Sequence, residues 1–292
     1  VKKIICFGEV LWDVFPTHKK IGGAPLNVAV RLKSFGNDVA VVSKVGQDED
    51  GQKIFQFLKE KKVDTKHLQQ DSVYKTGSVA VLLDESGSAS YTIDFPRAWD
   101  YIDCTEDLQK EVELSDAVIY GSLAARNLAT KESLMTVLKL SKFKVFDVNL
   151  RAPHYTKELL NELMLEANVI KFNDEEILEI AGYLGSESQN MRENMQYIAK
   201  STKTETICVT RGGDGAILYT NDQFYDHPGY RVNVVNTVGA GDSFLATLIH
   251  CLLLGEDPYK TVDLACIVGG LVTQSEGANP ELSMEEIQSF PK

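Results

Sequence analysis

Along this chain, short β-branched runs alternate with longer stretches in which apolar residues recur every three to four positions. Residues 3–7, 39–45, 117–120, 144–148, 169–172 and 206–210 read as buried strands. Between them, 27–35, 50–61, 131–140, 157–165 and 190–200 read as amphipathic helices. This alternation predicts an α/β fold: a mostly parallel sheet covered by helices on both faces, with ligands bound outside the carboxyl ends of the strands. Two segments break the pattern. Residues 10–15 follow the first strand with no helix between, and 77–95 reads as a hairpin turning at Glu85-Ser86-Gly87-Ser88. Both are placed in a small β-lid over the ligand edge of the sheet; an ordinary antiparallel extension of the main sheet is the alternative that periodicity leaves open.

At 292 residues the chain is one large domain or one with a small appendage. Its 43% hydrophobic and 25% charged residues are ordinary for a soluble globular protein. A net charge of -12 argues against a general nucleic-acid or anionic-membrane surface. A local nest of N–H groups can still hold an anion against that field. Cys6, Cys104, Cys208, Cys251 and Cys266 are scattered and contain no C-x-x-C pair, which suits reduced thiols and gives no zinc signature. Lys2 and Lys3 precede an apolar run, but Glu9 and Asp13 interrupt it and no small-residue cleavage site follows. The apolar stretch at 244–254 is too short to span a bilayer. The expectation is a soluble, cytoplasmic protein.

The richest stretch is Asn236-Thr237-Val238-Gly239-Ala240-Gly241-Asp242-Ser243-Phe244, between a β-like run at 230–235 and a helical run at 244–254. A Gly-Ala-Gly turn opening a helix gathers free backbone N–H groups where the helix dipole is positive. Gly239 and Gly241 let that backbone approach an anion with no side chain between. A carboxylate at Asp242 would repel phosphate, but it makes sense as a general base for a hydroxyl that attacks a phosphoryl group. With an ordinary carboxyl pKa of ~4 it would take the proton only late. The pattern points to phosphoryl transfer to an alcohol; taken alone, it also suits an aspartate capping a helix.

Other polar constellations fall at predicted strand ends. Gly22 and Gly23 allow close approach to a small ligand, and Asn27 offers the donor and acceptor that a polyol needs. Asp13 can accept two hydroxyl donors. Strict alternation in Asp147-Val148-Asn149-Leu150-Arg151 predicts one polar face. Asn173 and Glu176 fit a capping box, and the Glu176 carboxylate also suits the water shell of Mg²⁺. Thr210-Arg211-Gly212-Gly213-Asp214-Gly215 fits either a nucleotide cover or a hairpin loop. After the first strand the chain reads Gly8-Glu9-Val10-Leu11 rather than G-x-G-x-x-G, which disfavours a dinucleotide oxidoreductase. A non-catalytic sugar-binding protein predicts a decayed base or anion turn, and both are intact.

Taken together, these residues resemble the ribokinase-like (PfkB) carbohydrate kinases. One signature is Gly22-Gly23-Ala24-Pro25-Leu26-Asn27-Val28-Ala29 and the other is the stretch from Asn236 to Phe244, with Asp147 to Arg151 and Asn173 to Glu176 in order between them. Gly8-Glu9-Val10-Leu11-Trp12-Asp13 and Pro96-Arg97-Ala98-Trp99-Asp100 look most like bacterial fructokinases. The resemblance implies a single three-layer αβα kinase domain over 1–292, with a β-lid formed by 10–20 and 74–97. It implies ATP as donor, Asp242 as base and the N–H groups of Gly239, Ala240 and Gly241 as an anion hole. The sugar, most similar to the fructokinase case, would meet Asp13, Gly22, Gly23, Asn27, Arg97 and Arg151. ATP would meet Asn173, Thr210, Arg211, Gly212, Gly239 and Gly241, with Mg²⁺ near Glu176. Relatives place an Asp where this chain has Asn236, beside a monovalent cation such as K⁺, and an Asn near the adenine where it has Cys266. The lid also implies a candidate homodimer contact.

Overall fold

The computed structural model describes residues 1–83 and 89–291, with the backbone alone for 81–83 and 89–91. In chain order the strands are β1 (Lys3–Phe7), β2 (Leu11–Val14), β3 (Lys19–Gly22), β4 (Asp38–Gly46), β5 (Leu68–Asp71), β6 (Gly77–Leu83), β7 (Ala89–Ile93), β8 (Ala117–Gly121), β9 (Lys144–Asp147), β10 (Val169–Asn173), β11 (Thr206–Thr210), β12 (Ala216–Thr220) and β13 (Gln223–His227). The helices are α1 (Ala24–Ser34), α2 (Glu49–Glu60), α3 (Glu106–Leu114), α4 (Leu128–Leu140), α5 (Lys157–Leu165), α6 (Asp174–Tyr183), α7 (Met191–Thr202), α8 (Ala240–Leu254), α9 (Pro258–Thr273) and α10 (Met284–Gln288).

The larger sheet has nine strands in the order β13-β12-β11-β10-β9-β8-β1-β4-β5. It is parallel from β11 to β5, and β12 and β13 close it antiparallel. Alternation sorts the side chains of β1: Ile5 and Phe7 join one core, Ile4 and Cys6 the other. The first core is covered by α3 to α7 and the second by α1, α2, α8 and α9, giving three layers. Because both faces are buried, the strands read as continuous apolar runs. The chain leaves β1 toward β4 and later returns on its other side as β8, so a crevice opens at the carboxyl ends of β1 and β8.

The segments that break the alternation form a separate four-stranded sheet, β3-β2-β6-β7, rather than an extension of the main one. Its β2–β6 pairing is parallel and the other two pairings are antiparallel. The predicted turn at 85–88 lies outside the described residues. β3 was not expected, since Lys19 and Lys20 carry little β signal.

Three expectations are corrected. The run at 230–235 is no strand: Val235 and Asn236 both donate N–H groups to the Thr273 carbonyl (2.8 and 3.0 Å), and Tyr230 and Val232 pack against α9 and α10 instead of pairing. The strand at 144–148 ends at Asp147, and Asn149 turns left-handed with φ 39°, so no alternating polar face extends to Arg151. Helix α1 starts at Ala24 rather than 27, because Pro25 is tolerated in a first turn, where its missing N–H costs nothing. Among the described residues, no helix is long and apolar enough to cross a membrane.

Candidate active site

Helix α8 opens on Gly239, whose φ of 80° lies in the left-handed region. A Cβ there would sit 2.5 Å from the Ala278 carbonyl oxygen, so only glycine fits. The turn before it is set by Asn236, whose Oδ1 accepts the Val238 N–H at 2.9 Å. Ala240 donates its N–H back to the Thr237 carbonyl at 3.2 Å. Ser243 makes the first helical bond, to Gly239 at 2.9 Å, which leaves the N–H groups of Gly241 and Asp242 without intrahelical partners. Of the three N–H groups at 239–241, Ala240 spends its own within the turn, and among the described residues those of Gly239 and Gly241 meet no acceptor. Gly241 is exposed, open to an anion.

Asp242 sits in the first turn of α8, and its Oδ2 accepts from Asn27 Nδ2 at 2.7 Å. Asn27 Oδ1 in turn accepts from Asn279 Nδ2 at 2.7 Å. The two glycine signatures therefore meet, and Asn27 orients the carboxylate. Asp242 keeps some surface open to solvent, but its carboxyl is enclosed by protein. That desolvation pushes its pKa up to about 6, and Asp147 adds to the rise, while the Asn27 bond, Lys171 and Arg151 pull it down. This is a stronger base than an ordinary aspartate, still ionised at neutral pH.

The first glycine loop lies against the end of β1. A Cβ on Gly23 (φ 110°) would meet the Glu9 carbonyl oxygen at 2.5 Å, and one on Gly22 would meet Asp13 Oδ2 at 2.4 Å. Asp13 is partly buried; burial raises its pKa and Arg151 opposes the rise. Arg151 is exposed, and among the described residues its side chain donates to the carbonyl of its neighbour Leu150 alone, at 2.8 Å, yet its charge acts on Glu9, Asp13 and Asp242. Arg97 is held by an ion pair to Asp94 at the end of the smaller sheet.

Asn173 caps α6 by accepting from the N–H groups of Glu175 and Glu176, completing a capping box with Glu176. Glu176 Oε2 accepts the Asn173 N–H and Oε1 the Leu150 N–H, both at 2.8 Å. The carboxylate thus ties the turn after β9 to the start of α6. Burial pushes its pKa upward against the pull of Lys171. Thr210 ends β11, and Arg211 and Gly212 begin the hairpin connection to β12, where Arg211 donates to Asp226 Oδ1 (2.7 Å) and the His227 carbonyl (3.0 Å). Cys266, on α9, is buried.

Sequence reasoning missed Lys171, Glu9 and Asn279. A lone lysine in the apolar run of β10 was the available signal for the first. Glu9 is 3% exposed with Oε2 lacking a hydrogen-bond partner, and Asn279 lies in a loop with no pattern. A cavity of about 320 Å³ is lined by Phe95, Arg126 and residues 153–156, but not by the Gly-Ala-Gly turn or Asp242.

Comparison with known proteins gives the family of the chain. The family model for pfkB family carbohydrate kinases matches residues 1–285. A fructokinase from Escherichia coli is 30% identical, covering 98% of each chain. A Pyrococcus horikoshii sugar kinase solved in complex with ATP superposes with a TM-score of 0.86 at 29% identity, covering 98% of this chain and 97% of that one. A Vibrio cholerae fructokinase with fructose, ADP and calcium bound gives 0.85 at 26% identity, covering 99% and 98%. The chain belongs to the pfkB family of carbohydrate kinases, phosphotransferases whose acceptor is an alcohol.

Proposed function

We propose that this enzyme transfers the γ-phosphoryl group of ATP to D-fructose, giving fructose 6-phosphate and ADP. The observation that carries the mechanism is Asp242, held at 2.7 Å by Asn27 and one residue beyond the exposed Gly241 N–H. The sugar hydroxyl loses its proton to Asp242 as its oxygen bonds the γ-phosphorus, and the bond to the β–γ bridging oxygen breaks to release ADP. Donors at the start of α8 receive the charge that develops on the phosphoryl oxygens. Asp13, Gly22, Gly23, Arg97 and Arg151 surround the sugar; Asn27 supports the base. Asn173, Thr210, Arg211 and Gly212 flank the nucleotide beside Gly239 and Gly241.

Mg²⁺ fits near Glu176. Each Glu176 oxygen accepts one N–H and keeps a lone pair for a water. Among the described residues no group of three acidic, His or Cys side chains forms a metal cage, so an ion here would be held mainly by water and substrate phosphates. When bound, it would neutralise charge on the ATP phosphates.

The smaller sheet acts as a lid that closes with sugar, keeping water from the transferring group. Fructose is favoured because fructokinases align over nearly the whole chain. Ribose and 2-keto-3-deoxygluconate are the alternatives within the family. ADP release measured against these three sugars tests the assignment: the highest kcat/KM belongs to fructose, and a higher value for another sugar reassigns the acceptor.

A further inference from the structure

Lys171 is the third residue of β10, between Ile170 and Phe172, and is only 7% exposed. Burying an ammonium is costly unless it is paired. Its pair is Asp147, its register partner on β9, whose Oδ1 accepts from Nζ at 2.8 Å. An ammonium carries three N–H donors, and among the described residues this is its one hydrogen bond. Two donors therefore remain unused at a buried position, where unsatisfied polar hydrogens are rare.

Their surroundings suggest a purpose. The position that a Cβ would take on Gly241 lies 3.8 Å from Lys171 Nζ. Gly241 belongs to the first turn of α8 and offers a free N–H, so the ammonium faces the anion turn from the sheet side. Burial pulls the lysine's proton affinity down, but Asp147, Glu176 and Asp242 together reverse this and raise it above the ordinary value, keeping the charge at neutral pH. A counter-ion role toward these carboxylates accounts for the charge. It does not account for the two open donors or for their place beside Gly241.

We propose that Lys171 is a catalytic residue, its ammonium donating to the non-bridging oxygens of the phosphoryl group in flight while Asp147 holds it in place. The inference rests on the kinase reading above. Charge in such a transfer spreads over the equatorial oxygens, and a fixed full charge adds to the partial charge of a helix start. The missing side chain at Gly241 leaves room for an oxygen to reach both Nζ and the backbone N–H.

The test compares Lys171→Met and the double variant Lys171→Met/Asp147→Asn with the unmodified enzyme, using ATP and whichever sugar the latter phosphorylates best. The double variant removes both buried charges and so keeps the test alive if the single one fails to fold. Expected is a fall in kcat of about 10²-fold or more in both, with the sugar KM little changed. ADP affinity should also no longer tighten when aluminium fluoride, a planar mimic of the phosphoryl group, is added with sugar. A folded variant turning over within about threefold of the unmodified enzyme overturns the proposal. Recovery of kcat in the double variant also overturns it, since Lys171 would then only neutralise Asp147. An unmodified enzyme that phosphorylates no sugar overturns both this proposal and the reading beneath it.

Discussion

Asn27 Nδ2 donates to Asp242 Oδ2 at 2.7 Å, joining residues 215 positions apart in the chain. This bond sets the rotamer of the proposed base and lowers its proton affinity. Asn27→Ala removes that pull, so the acidic limb of the pH–kcat/KM profile should move to higher pH. In the unmodified enzyme the limb should fall below about pH 6, since Asp242 must be ionised to accept a proton and loses its charge beneath its pKa. Asp147→Asn removes a neighbouring negative charge and should move the limb the other way. Profiles for the three proteins check both directions.

Glu9 makes a separate prediction about stability. It is 3% exposed, and burial pushes its pKa up to about 7. A carboxyl whose folded pKa lies above its unfolded value of ~4.3 contributes stability at low pH, and this is lost as pH rises toward the folded pKa. Glu9→Gln cannot ionise, so its Tm should fall less between pH 5 and pH 8 than that of the unmodified protein. Equal falls in Tm would show that Glu9 does not carry this penalty.

For Glu176, two roles predict different measurements. Glu176→Gln keeps one acceptor oxygen but turns an NH₂ toward a backbone N–H now bonded to carboxylate. That should cost about 1–3 kcal/mol in unfolding free energy. If the carboxylate also orders the water shell of Mg²⁺, the Mg²⁺ concentration needed for half-maximal rate should rise. An unchanged Mg²⁺ titration with lowered stability would confine Glu176 to capping.

The Asn236 side chain is neutral, and its Oδ1 already accepts the Val238 N–H at 2.9 Å. Modest stimulation by K⁺ is expected, and Asn236→Asp should increase it by restoring a charge beside the turn. The measurement is kcat/KM across a K⁺ titration at constant ionic strength, balanced with a bulky organic cation. Strong activation of the unmodified enzyme, unaltered by the substitution, would place the cation's ligands elsewhere.

What could be read from the sequence followed physical range. The strands at 3–7 and 206–210 were legible because a parallel strand buried on both faces needs an unbroken apolar run. The Asn173–Glu176 box was legible because its partners lie three residues apart. The run at 230–235 misled because β-branched residues also suit an irregular segment packed on α9. Asn27 and Asp242 could each be marked as polar residues near glycines, but their bond depends on how α1 meets α8. Lys171 was hidden in the opposite way: its strand was recognised, and its charge was overlooked. The upward shift of the Asp242 pKa is not legible in the chain, because enclosure is a property of the assembled site.

The most direct test is the turnover of Asp242→Asn with ATP and D-fructose, alongside fructose affinity measured without ATP. The account predicts a fall in kcat of ~10² or more, because the proton acceptor is gone, with fructose affinity nearly unchanged. Turnover close to that of the unmodified enzyme would contradict it.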